Sequence, residues 1–432
     1  MHSHPIPTFG PPCSGRSLGL LAVALVLHLA VPARAGVVVV DPHGGAGDQL
    51  LDAAIQAASD GDILLVKPGD YVTLHTWSYS LGDKSLTLVA DGAGTPVILP
   101  GLDISTLAAG GRIRVCGFEL RAVDTNSQRD ALSVLWSQGE IEVDDCTLVG
   151  ADAPSSPPDL PPGIGLFAAN TKSVVLARCS VKGGDGGPPL SQFTWPAGSG
   201  VQLQKASAAL FDCTVLGGRG GDGDIITTFG SPDGGNGVLL IEAKIVVAGG
   251  SLQGGDEGDS TVIVAQPGSG LAGGFGANVD EARLRDVVVT AGNVNGLGTP
   301  APAIDLPASM LVSHPAAARS LALPSPLREG QAVAMTLGGL QGDLVFVLAS
   351  LQPAFVLDAF HQAALVVGLP ATTAVVATIT DVSGQLTLHF TTPHLPAAVT
   401  GGLVVGLQAV HFGSDGVTLG APACAVWIDD AF

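Results

Sequence analysis

Basic residues are scarce in this chain. Lys and Arg together number 18 of 432 residues, against 38 Asp and Glu, and the formal net charge is −20 at pH 7. A nucleic-acid-binding surface needs a basic stripe that neutralises phosphates, and an anionic lipid surface attracts basic segments. The charge balance therefore argues against nucleic acid and anionic membranes, and it favours cationic partners or divalent ions.

Aromatic residues are also few, at 4%, and charged residues make up only 13% of the chain. Hydrophobic residues nevertheless reach 46%, the mean hydropathy is +0.45, and Gly occurs 60 times. This composition excludes a disordered linker and a collagen. It favours many thin stacked layers over one aromatic-centred core, in two or three domains or in a solenoid with an appendage.

The N-terminus has the pattern of a secretory signal peptide over residues 1–35. An apolar stretch at 18–31 follows Arg16 and precedes Pro32-Ala33-Arg34-Ala35, which fits an A-x-A cleavage site after Ala35. The alternative is a membrane anchor, although the stretch is shorter than the roughly 20 residues that a span needs. We expect a secreted, extracellular or cell-surface protein without a transmembrane segment in the mature chain.

Five cysteines follow this segment, at positions 116, 146, 179, 213 and 424, and the first four are 30, 33 and 34 residues apart. The same alternating apolar pattern surrounds these four, at 113–118, 143–148, 176–181 and 210–215, with degenerate copies at 247–252 and 284–289. Alternation with period 2 predicts strands, and such short units must stack to bury their apolar sides. We predict a solenoid with the four cysteines in one inward ladder of free thiols. Neighbouring coils lie about 4.8 Å apart, so disulfide bridges between them stay an open alternative.

Gly-x-Gly sequences precede the later copies, and we interpret them as turn devices at the starts of strands. They are Gly163 and Gly165, Gly198 and Gly200, Gly235 and Gly237, and Gly268 and Gly270.

The residues that follow the predicted signal peptide resemble the opening of a known superfamily. A strand-like VVVVDPHGGAGD at 37–48 precedes a helical pattern at 50–58, then GDILLVKPGDY at 61–71 and KSLTL at 84–88. This series resembles the opening of right-handed parallel β-helix proteins of the pectate-lyase-like superfamily, over roughly residues 37–300. The resemblance implies an all-β, right-handed parallel β-helix solenoid with an N-terminal capping helix, over residues 36–310, but no particular activity.

Prolines cluster after the last repeat and predict a Pro-rich linker at 311–326. From 327 to 432, about seven apolar alternating segments are separated by Gly, Pro and Asp turns. Short alternating strands of this kind predict a small antiparallel β-sandwich, which we interpret as an accessory domain.

Loops of variable length leave each repeat four residues after the cysteine position, and they are rich in Gly and Asp. Insertions at one point of a stacked repeat project from one side, where carboxylates could bind Ca²⁺. The predicted ligands are Asp152, Asp185, Asp222, Asp224, Asp256 and Asp259. The alternative is that these are ordinary turn residues.

Two aromatic residues of the loops, Phe193 and Trp195, are the predicted sugar-stacking residues. The alternative is that they pack the loops against the side of the β-helix. A complete set of polygalacturonase-like catalytic motifs is absent from the sequence, so enzymatic activity stays undecided. Lyases of the superfamily use a basic proton acceptor on the strand surface, and Arg178, beside Cys179 and so facing outward, is the candidate base.

The sequence thus leaves three functional hypotheses. The first is a secreted or cell-surface protein that binds polysaccharide or a surface component through its Gly/Asp-rich loops, without a clear catalytic motif. The second is a polysaccharide lyase or glycoside hydrolase of the superfamily. The third is a structural or adhesive surface protein.

Overall fold

A computed structural model of the chain describes residues 35–432 apart from short internal segments. The segments left out are 43–49, 72–78, 93–96, 124–128, 155–159, 188–195, 223–232, 259–265, 275–279, 296–298, 315, 352, 359–362, 368–371, 380, 396–398 and 400. The predicted signal peptide lies almost wholly outside the described residues.

Residues 35–314 form a parallel β-helix, which confirms the predicted fold. One short helix, α1 (Leu51–Ala57), follows the first strand. The strands, in chain order, are β1 (Val37–Val40), β2 (Ile63–Val66), β3 (Gly69–Asp70), β4 (Tyr79–Ser80), β5 (Leu86–Ala90), β6 (Val97–Leu99), β7 (Leu102–Ser105), β8 (Arg112–Cys116), β9 (Phe118–Arg121), β10 (Leu132–Leu135), β11 (Glu140–Asp144), β12 (Thr147–Val149), β13 (Leu166–Ala169), β14 (Ser173–Ala177), β15 (Ser180–Lys182), β16 (Val201–Gln204), β17 (Ser207–Leu216), β18 (Val238–Ile241), β19 (Lys244–Gln253), β20 (Leu271–Gly273), β21 (Glu281–Arg285), β22 (Val288–Thr290), β23 (Ile304–Asp305) and β24 (Leu311–His314).

Each regular coil contributes one strand to each of three faces. The first face contains β1, β2, β5, β8, β11, β14, the first halves of β17 and β19, β21 and β24; the second contains β3, β6, β9, β12, β15, the second halves of β17 and β19, and β22. The third face is a separate eight-stranded sheet, in the order β23-β20-β18-β16-β13-β10-β7-β4. Because β17 and β19 are ten residues long and turn the corner, the first two faces form one sixteen-stranded sheet.

Two corners of each coil are made by residues in the left-handed backbone region. Gly117, Asp145, Arg178, Asp212, Gly249 and Asp286 occupy the corner between the first and second faces, with φ between +50° and +82°. Thr106, Trp136, Asn170, Lys205 and Glu242 occupy the corner between the third face and the next coil, with φ between +49° and +59°. Gly, Asn and Asp adopt this conformation readily, whereas Trp, Arg and Lys do so at a cost.

Helix α1 confirms the predicted N-terminal helix and packs on the first coils. Leu51, Ala54 and Ile55, at helical spacing, are buried in the core of the β-helix. The Lys84 ammonium donates hydrogen bonds to the last carbonyls of the helix, those of Ile55 (3.1 Å), Gln56 (2.7 Å) and the following residue 58 (3.0 Å), where a cation is favoured by the helix dipole. The first residue of the KSLTL pattern therefore fixes the helix.

The C-terminal module consists of antiparallel sheets that enclose their own apolar core, as predicted. Its strands are β25 (Ser320–Ala322), β26 (Leu327–Arg328), β27 (Ala332–Gly338), β28 (Leu344–Ser350), β29 (Pro353–Asp358), β30 (Ala363–Val367), β31 (Thr372–Thr378), β32 (Gln385–Thr391), β33 (Gly402–Gly413) and β34 (Gly416–Ile428). Sheet β25-β27-β32 faces sheet β26-β34-β33-β28-β31 across this core, and β29 pairs with β30. Strand β26 is parallel to β34, and the other pairs are antiparallel.

The chain between the two parts, where the sequence predicts a linker at 311–326, contains two short strands. Residues 311–314 form β24, which pairs with β21 of the β-helix, and 320–322 form β25 of the C-terminal module. Pro324 and Pro326 lie between β25 and β26, outside both strands, where a residue without an amide hydrogen removes no bond from a sheet.

The C-terminal module packs against the outer side of the first face. One apolar cluster joins Ile63, Leu65, Val89 and Cys116 to Cys424, Val426 and Ile428 of β34, and a second joins Val175, Ala177, Ala209 and Phe211 to Ala364, Val366 and Ala421. Strand β34 is apolar on both sides because Ala423 and Ala425 enter the module's own core while Cys424 and Val426 face the β-helix. The first face is thus buried on both of its sides where these clusters cover it, at β2, β5, β8, β14, β17 and β19.

The strand register corrects the predicted ladder of four cysteines. Val115 pairs with Val143, 28 residues later, so Asp144 lies beside Cys116, whereas the two cysteines are 30 residues apart. Cys146 instead lies level with Phe118, whose amide donates to the Cys146 sulfur at 3.4 Å. Cys146, Cys179 and Cys213 stack inside the β-helix, while Cys116 faces outward against the C-terminal module. The reason is that this coil is shorter than the next three, whose partners lie 33, 34 and 37 residues apart.

Within the described part of the chain, no helix has the length and apolar character required to cross a membrane.

Candidate functional site

Three of the four predicted calcium ligands with described positions accept hydrogen bonds from the next coil along the solenoid axis. The Asp152 Oδ1 atom accepts the backbone amide of Asp185 at 2.8 Å, and the Asp185 Oδ1 atom accepts that of Arg219 at 2.8 Å. The Asp256 Oδ1 atom accepts the backbone amide of Asn293 at 2.6 Å. These carboxylates therefore act as turn residues that connect each coil to the next, which is what the alternative interpretation predicts.

Of the other predicted loop residues, only Asp222 has a described position. Asp222 is exposed, and its Oδ1 atom accepts a hydrogen bond from Arg219 Nη2 at 2.8 Å. Asp224, Asp259, Phe193 and Trp195 lie outside the described residues. Calcium binding and sugar stacking by these loops stay predictions.

The described stems of the loops form a continuous column of glycines. The amide of Gly198 donates to the Gly184 carbonyl (2.9 Å), Gly218 to Gly198 (2.9 Å), Gly235 to Gly218 (2.9 Å), and Gly255 to Gly235 (2.7 Å). Outgoing and returning stems thus alternate along the axis. A Cβ atom on Gly218 would lie 2.0 Å from the Gly184 carbonyl oxygen, so a residue with a side chain does not fit.

This column changes the interpretation of the Gly-x-Gly sequences. None of their eight glycines has φ in the left-handed region, so backbone freedom is not what requires glycine there. The requirement is steric, because backbones approach more closely than a Cβ atom permits. The loop stems therefore leave no groove between neighbouring coils for a ligand.

Arg178, the candidate base, faces outward from its corner as predicted, but the C-terminal module covers it. Its Nη1 atom donates to the carbonyls of Leu321 (2.7 Å) and Pro422 (2.9 Å), and its Nη2 atom pairs with the Asp144 carboxylate. Its side chain is 18% exposed. The left-handed backbone of Arg178 is held by these contacts, and they make it a connection between the two parts of the chain rather than a group on an open strand surface.

Buried carboxyls accompany Arg178 at this interface. Burial raises the pKa of Asp144 to about 7, even though the Arg178 guanidinium and the Cys424 amide oppose the shift. Burial also raises the pKa of Asp212 to about 6, and Arg178 again opposes it. The Asp144 Oδ2 atom accepts a hydrogen bond from the Cys424 backbone amide at 3.1 Å. The ionisation of Asp144 is therefore coupled to the packing of β34 against the β-helix.

A possible cation site lies elsewhere, on the C-terminal module. Among the residues with described positions, the only three acidic or His/Cys side chains close enough to share one ion are Glu329, Asp429 and Asp430. Glu329 already interacts with His394 Nδ1 at 3.0 Å and with the backbone amide of Leu395. None of the predicted loop aspartates belongs to this group.

The outer side of the third face presents aromatic and amide side chains that the sequence analysis missed. Its outward positions include Phe167, Gln202 and Gln204, all partly exposed, while their neighbours along each strand enter the core. At the edge of this face, Trp136 is 59% exposed, and Asn170 and Lys205 follow it on the next two coils. We name these six residues the third-face strip; it has the aromatic and polar composition that a sugar-binding surface needs.

The third-face strip can be recognised in the sequence only if one knows which residues of successive coils are paired. Trp136 is placed there because it follows β10 in the corner position of Asn170 and Lys205. The carboxyl of Asp103 lies outward on the same face, and burial raises its pKa. Next to it, Ser133 is the partner of Asp103 on the following coil.

Comparisons with known proteins show likeness in structure alone. No family model and no curated protein matches this chain. Among solved structures it is similar to pectate lyase Pel9A, with 12% identity and a TM-score of 0.27, over 61% of this chain and 78% of that one. It is also similar to the enzymatically active domain of tailspike protein 2 of bacteriophage CBA120, with 10% identity and a TM-score of 0.24, over 87% of this chain and 63% of that one. The parallel β-helix itself rests on the strand pairing of this chain.

Proposed function

We propose that this protein is exported and binds a neutral or weakly charged polysaccharide along the third face of its β-helix, without cleaving it. The exposed Trp136 indole carries the proposal. A sugar ring can stack on an indole through its apolar C–H face, and Trp136 presents its indole to solvent at a corner of a coil. The N-terminal signal-peptide pattern supports export.

The remaining residues of the strip supply hydrogen bonds at regular spacing. Side chains at equivalent positions of successive coils are about 4.8 Å apart, close to the length of one sugar unit in an extended glycan. The amides of Asn170, Gln202 and Gln204 offer both donors and acceptors to hydroxyl groups. The net charge of −20 disfavours an anionic glycan, because like charges repel.

The third face is the proposed binding surface because its outward side chains are open to solvent, whereas loop carboxylates and the outer side of the first face make contacts within the protein. The described loop aspartates Asp152 and Asp185 each use a carboxylate oxygen to hold the next coil. The outer side of the first face lies under the C-terminal module. The third face, by contrast, presents its strip to solvent.

The proposal is tested by binding of the purified protein to immobilised neutral and acidic polysaccharides, with and without Ca²⁺. Trp136→Ala should weaken binding by about 2- to 12-fold from the loss of stacking alone, since an aromatic stacking contact is worth about 0.5–1.5 kcal/mol beyond buried area. Phe412→Ala, at an aromatic that is 45% exposed on the C-terminal module, is the matched control and should bind normally. Equal binding by the wild type and Trp136→Ala would overturn the proposal.

Glycan cleavage is the second candidate, and Asp103 is the observation that favours it. A carboxyl with a raised pKa can serve as a general acid, and Asp103 lies on the same face as Trp136. New reducing ends or unsaturated products in the same panel, abolished by Asp103→Asn, would favour an enzyme. If neither binding nor cleavage is found, the structural or adhesive role becomes the better hypothesis.

A further inference from the structure

Two cysteines from different parts of the chain meet at the interface between the β-helix and the C-terminal module. Cys116 ends β8 and faces outward, and Cys424 lies on β34, in the same apolar cluster. Their residues are 3% and 0% exposed. Both side chains lie in this one buried cluster, Cys116 on the β-helix side of the interface and Cys424 on the side of the C-terminal module.

Asp144 fixes the two cysteine backbones relative to one another. It is the strand partner of Cys116 on the next coil, and its Oδ2 atom accepts the backbone amide of Cys424 at 3.1 Å. The Arg178 guanidinium, which binds Asp144, also holds the carbonyl of Pro422 at 2.9 Å. The segment of β34 that carries Cys424 is therefore held at the Pro422 carbonyl and at the Cys424 amide.

We propose that Cys116 and Cys424 form a disulfide bond that joins the C-terminal module covalently to the β-helix. This inference rests on the proposed export, since disulfides persist in oxidising compartments. It assigns a modification to a pair of residues 308 positions apart in the chain.

The direction of approach distinguishes this pair from the other cysteines. Cys146, Cys179 and Cys213 lie on successive coils of one parallel sheet, so their side chains point the same way. A disulfide needs Cβ atoms about 3.8 Å apart and a dihedral angle near 90° between the two C–S bonds. Cys116 and Cys424 approach each other from opposite sides of an interface, which suits that geometry. One facing pair and three stacked thiols also account for the odd number of cysteines.

The bond would form by thiol–disulfide exchange with an external disulfide, either a small-molecule disulfide or that of an oxidoreductase. One thiolate attacks that disulfide and releases one thiol; the second cysteine thiolate then attacks the mixed disulfide and releases the other. Cys116 and Cys424 together lose two protons and two electrons, and the external disulfide is reduced to two thiols. In the folded chain, the hydrogen bond with Cys424 and then burial raise the pKa of Cys116, so the exchange belongs to folding, before the module docks.

The test is to unfold and reduce the full-length protein, refold it in a buffer of oxidised and reduced glutathione, alkylate free thiols, and map the peptides by mass spectrometry. We expect a linked pair of peptides containing Cys116 and Cys424, with Cys146, Cys179 and Cys213 alkylated. The oxidised protein should melt about 5 °C higher than the reduced one, because the bond closes a very long loop. Alkylation of Cys116 and Cys424, or a Cys179–Cys213 link in their place, would overturn the proposal.

Two serine variants make the assignment specific. Cys424→Ser should leave Cys116 alkylated and abolish the redox-dependent change in melting temperature. Cys213→Ser, at a stacked cysteine, should retain the link and that change. A link that forms on refolding but is missing from protein collected in its native compartment would contradict export and leave the disulfide chemistry intact.

Discussion

The glycine column makes a quantitative prediction about Gly218. Replacing it by Ala would place a Cβ atom 2.0 Å from the Gly184 carbonyl oxygen and 2.6 Å from the carbon of the same carbonyl. Real Cβ atoms essentially never approach another heavy atom closer than 3.0 Å, so the backbone of one coil must move by about 1 Å. The atom in the way belongs to the backbone, so a side-chain rotation cannot relieve the clash.

That movement would break hydrogen bonds on both sides of the residue. The Gly218 amide donates to the Gly198 carbonyl, and its own carbonyl accepts the Gly235 amide, both at 2.9 Å. A buried backbone hydrogen bond contributes about 1 kcal/mol, and leaving its groups unpaired costs about 1–3 kcal/mol. We therefore expect Gly218→Ala to lower the free energy of unfolding by about 3–5 kcal/mol, including strain.

The assay is urea unfolding followed by circular dichroism, with Gly406→Ala as the control. A Cβ atom on Gly406 would have Arg114 Nη2 at 3.4 Å as its nearest neighbour, an ordinary contact, so this variant should lose less than about 1 kcal/mol. If the two variants lost the same free energy, or if Gly218→Ala lost less than 1 kcal/mol, close packing of the stems would not be the reason for glycine.

Three further outcomes are expected. Arg178→Met should cost about 2–4 kcal/mol of unfolding free energy, because the buried carbonyls of Leu321 and Pro422 lose this donor. Lys205→Met, at the other corner, should cost less than about 0.5 kcal/mol because its ion pair is exposed. Equal losses in urea unfolding would refute the interface role of Arg178. Burial raises the pKa of Asp144 to about 7 in the folded state, whereas the carboxyl ionises near 3.8 in the unfolded chain, so the free energy of unfolding of the wild type relative to Asp144→Asn should fall by roughly 2–4 kcal/mol from pH 4 to 7.5. Burial lowers the pKa of His411 to about 4, which gives the opposite pH dependence, but this contribution is the same in both proteins and cancels. A difference in free energy that does not change with pH would show that Asp144 does not titrate in this range. Millimolar Ca²⁺ should leave the melting temperature unchanged because the described loop carboxylates already hold backbone amides, and a rise that Asp185→Asn abolishes would establish the calcium site.

The sequence was sufficient for a solenoid of stacked strands because its signal is local and repeated, and the resemblance of its first coils implied the parallel β-helix. Alternation such as that of Ile113 and Val115, and of Leu176 and the residues around it, specifies which side of each strand is buried, and stacking is the only way for such short units to bury it. The capping helix and the antiparallel module also follow from local spacing, since Leu51, Ala54 and Ile55 share one helical side.

Registration between coils was decided by tertiary structure. The coil from Val115 to Val143 is 28 residues long, so the 30-residue separation of Cys116 and Cys146 is not a repeat length. A shift of two residues keeps the apolar alternation and yet moves a side chain around the corner from one face to another. Periodicity along the chain cannot detect such a shift, because it requires knowing which residues are hydrogen-bonded across coils.

The positions of the candidate functional residues likewise depend on contacts between distant segments. Arg178 faces outward, as the sequence predicted, but only the docking of residues 321 and 422 shows that the C-terminal module covers it. Trp136 has no distinctive neighbours in the sequence, and the corner it shares with Asn170 and Lys205 exists only in the stacked coils. Composition and periodicity thus determined the elements and their buried sides, whereas loop length and the docking of the module determined which surfaces remain open to a ligand.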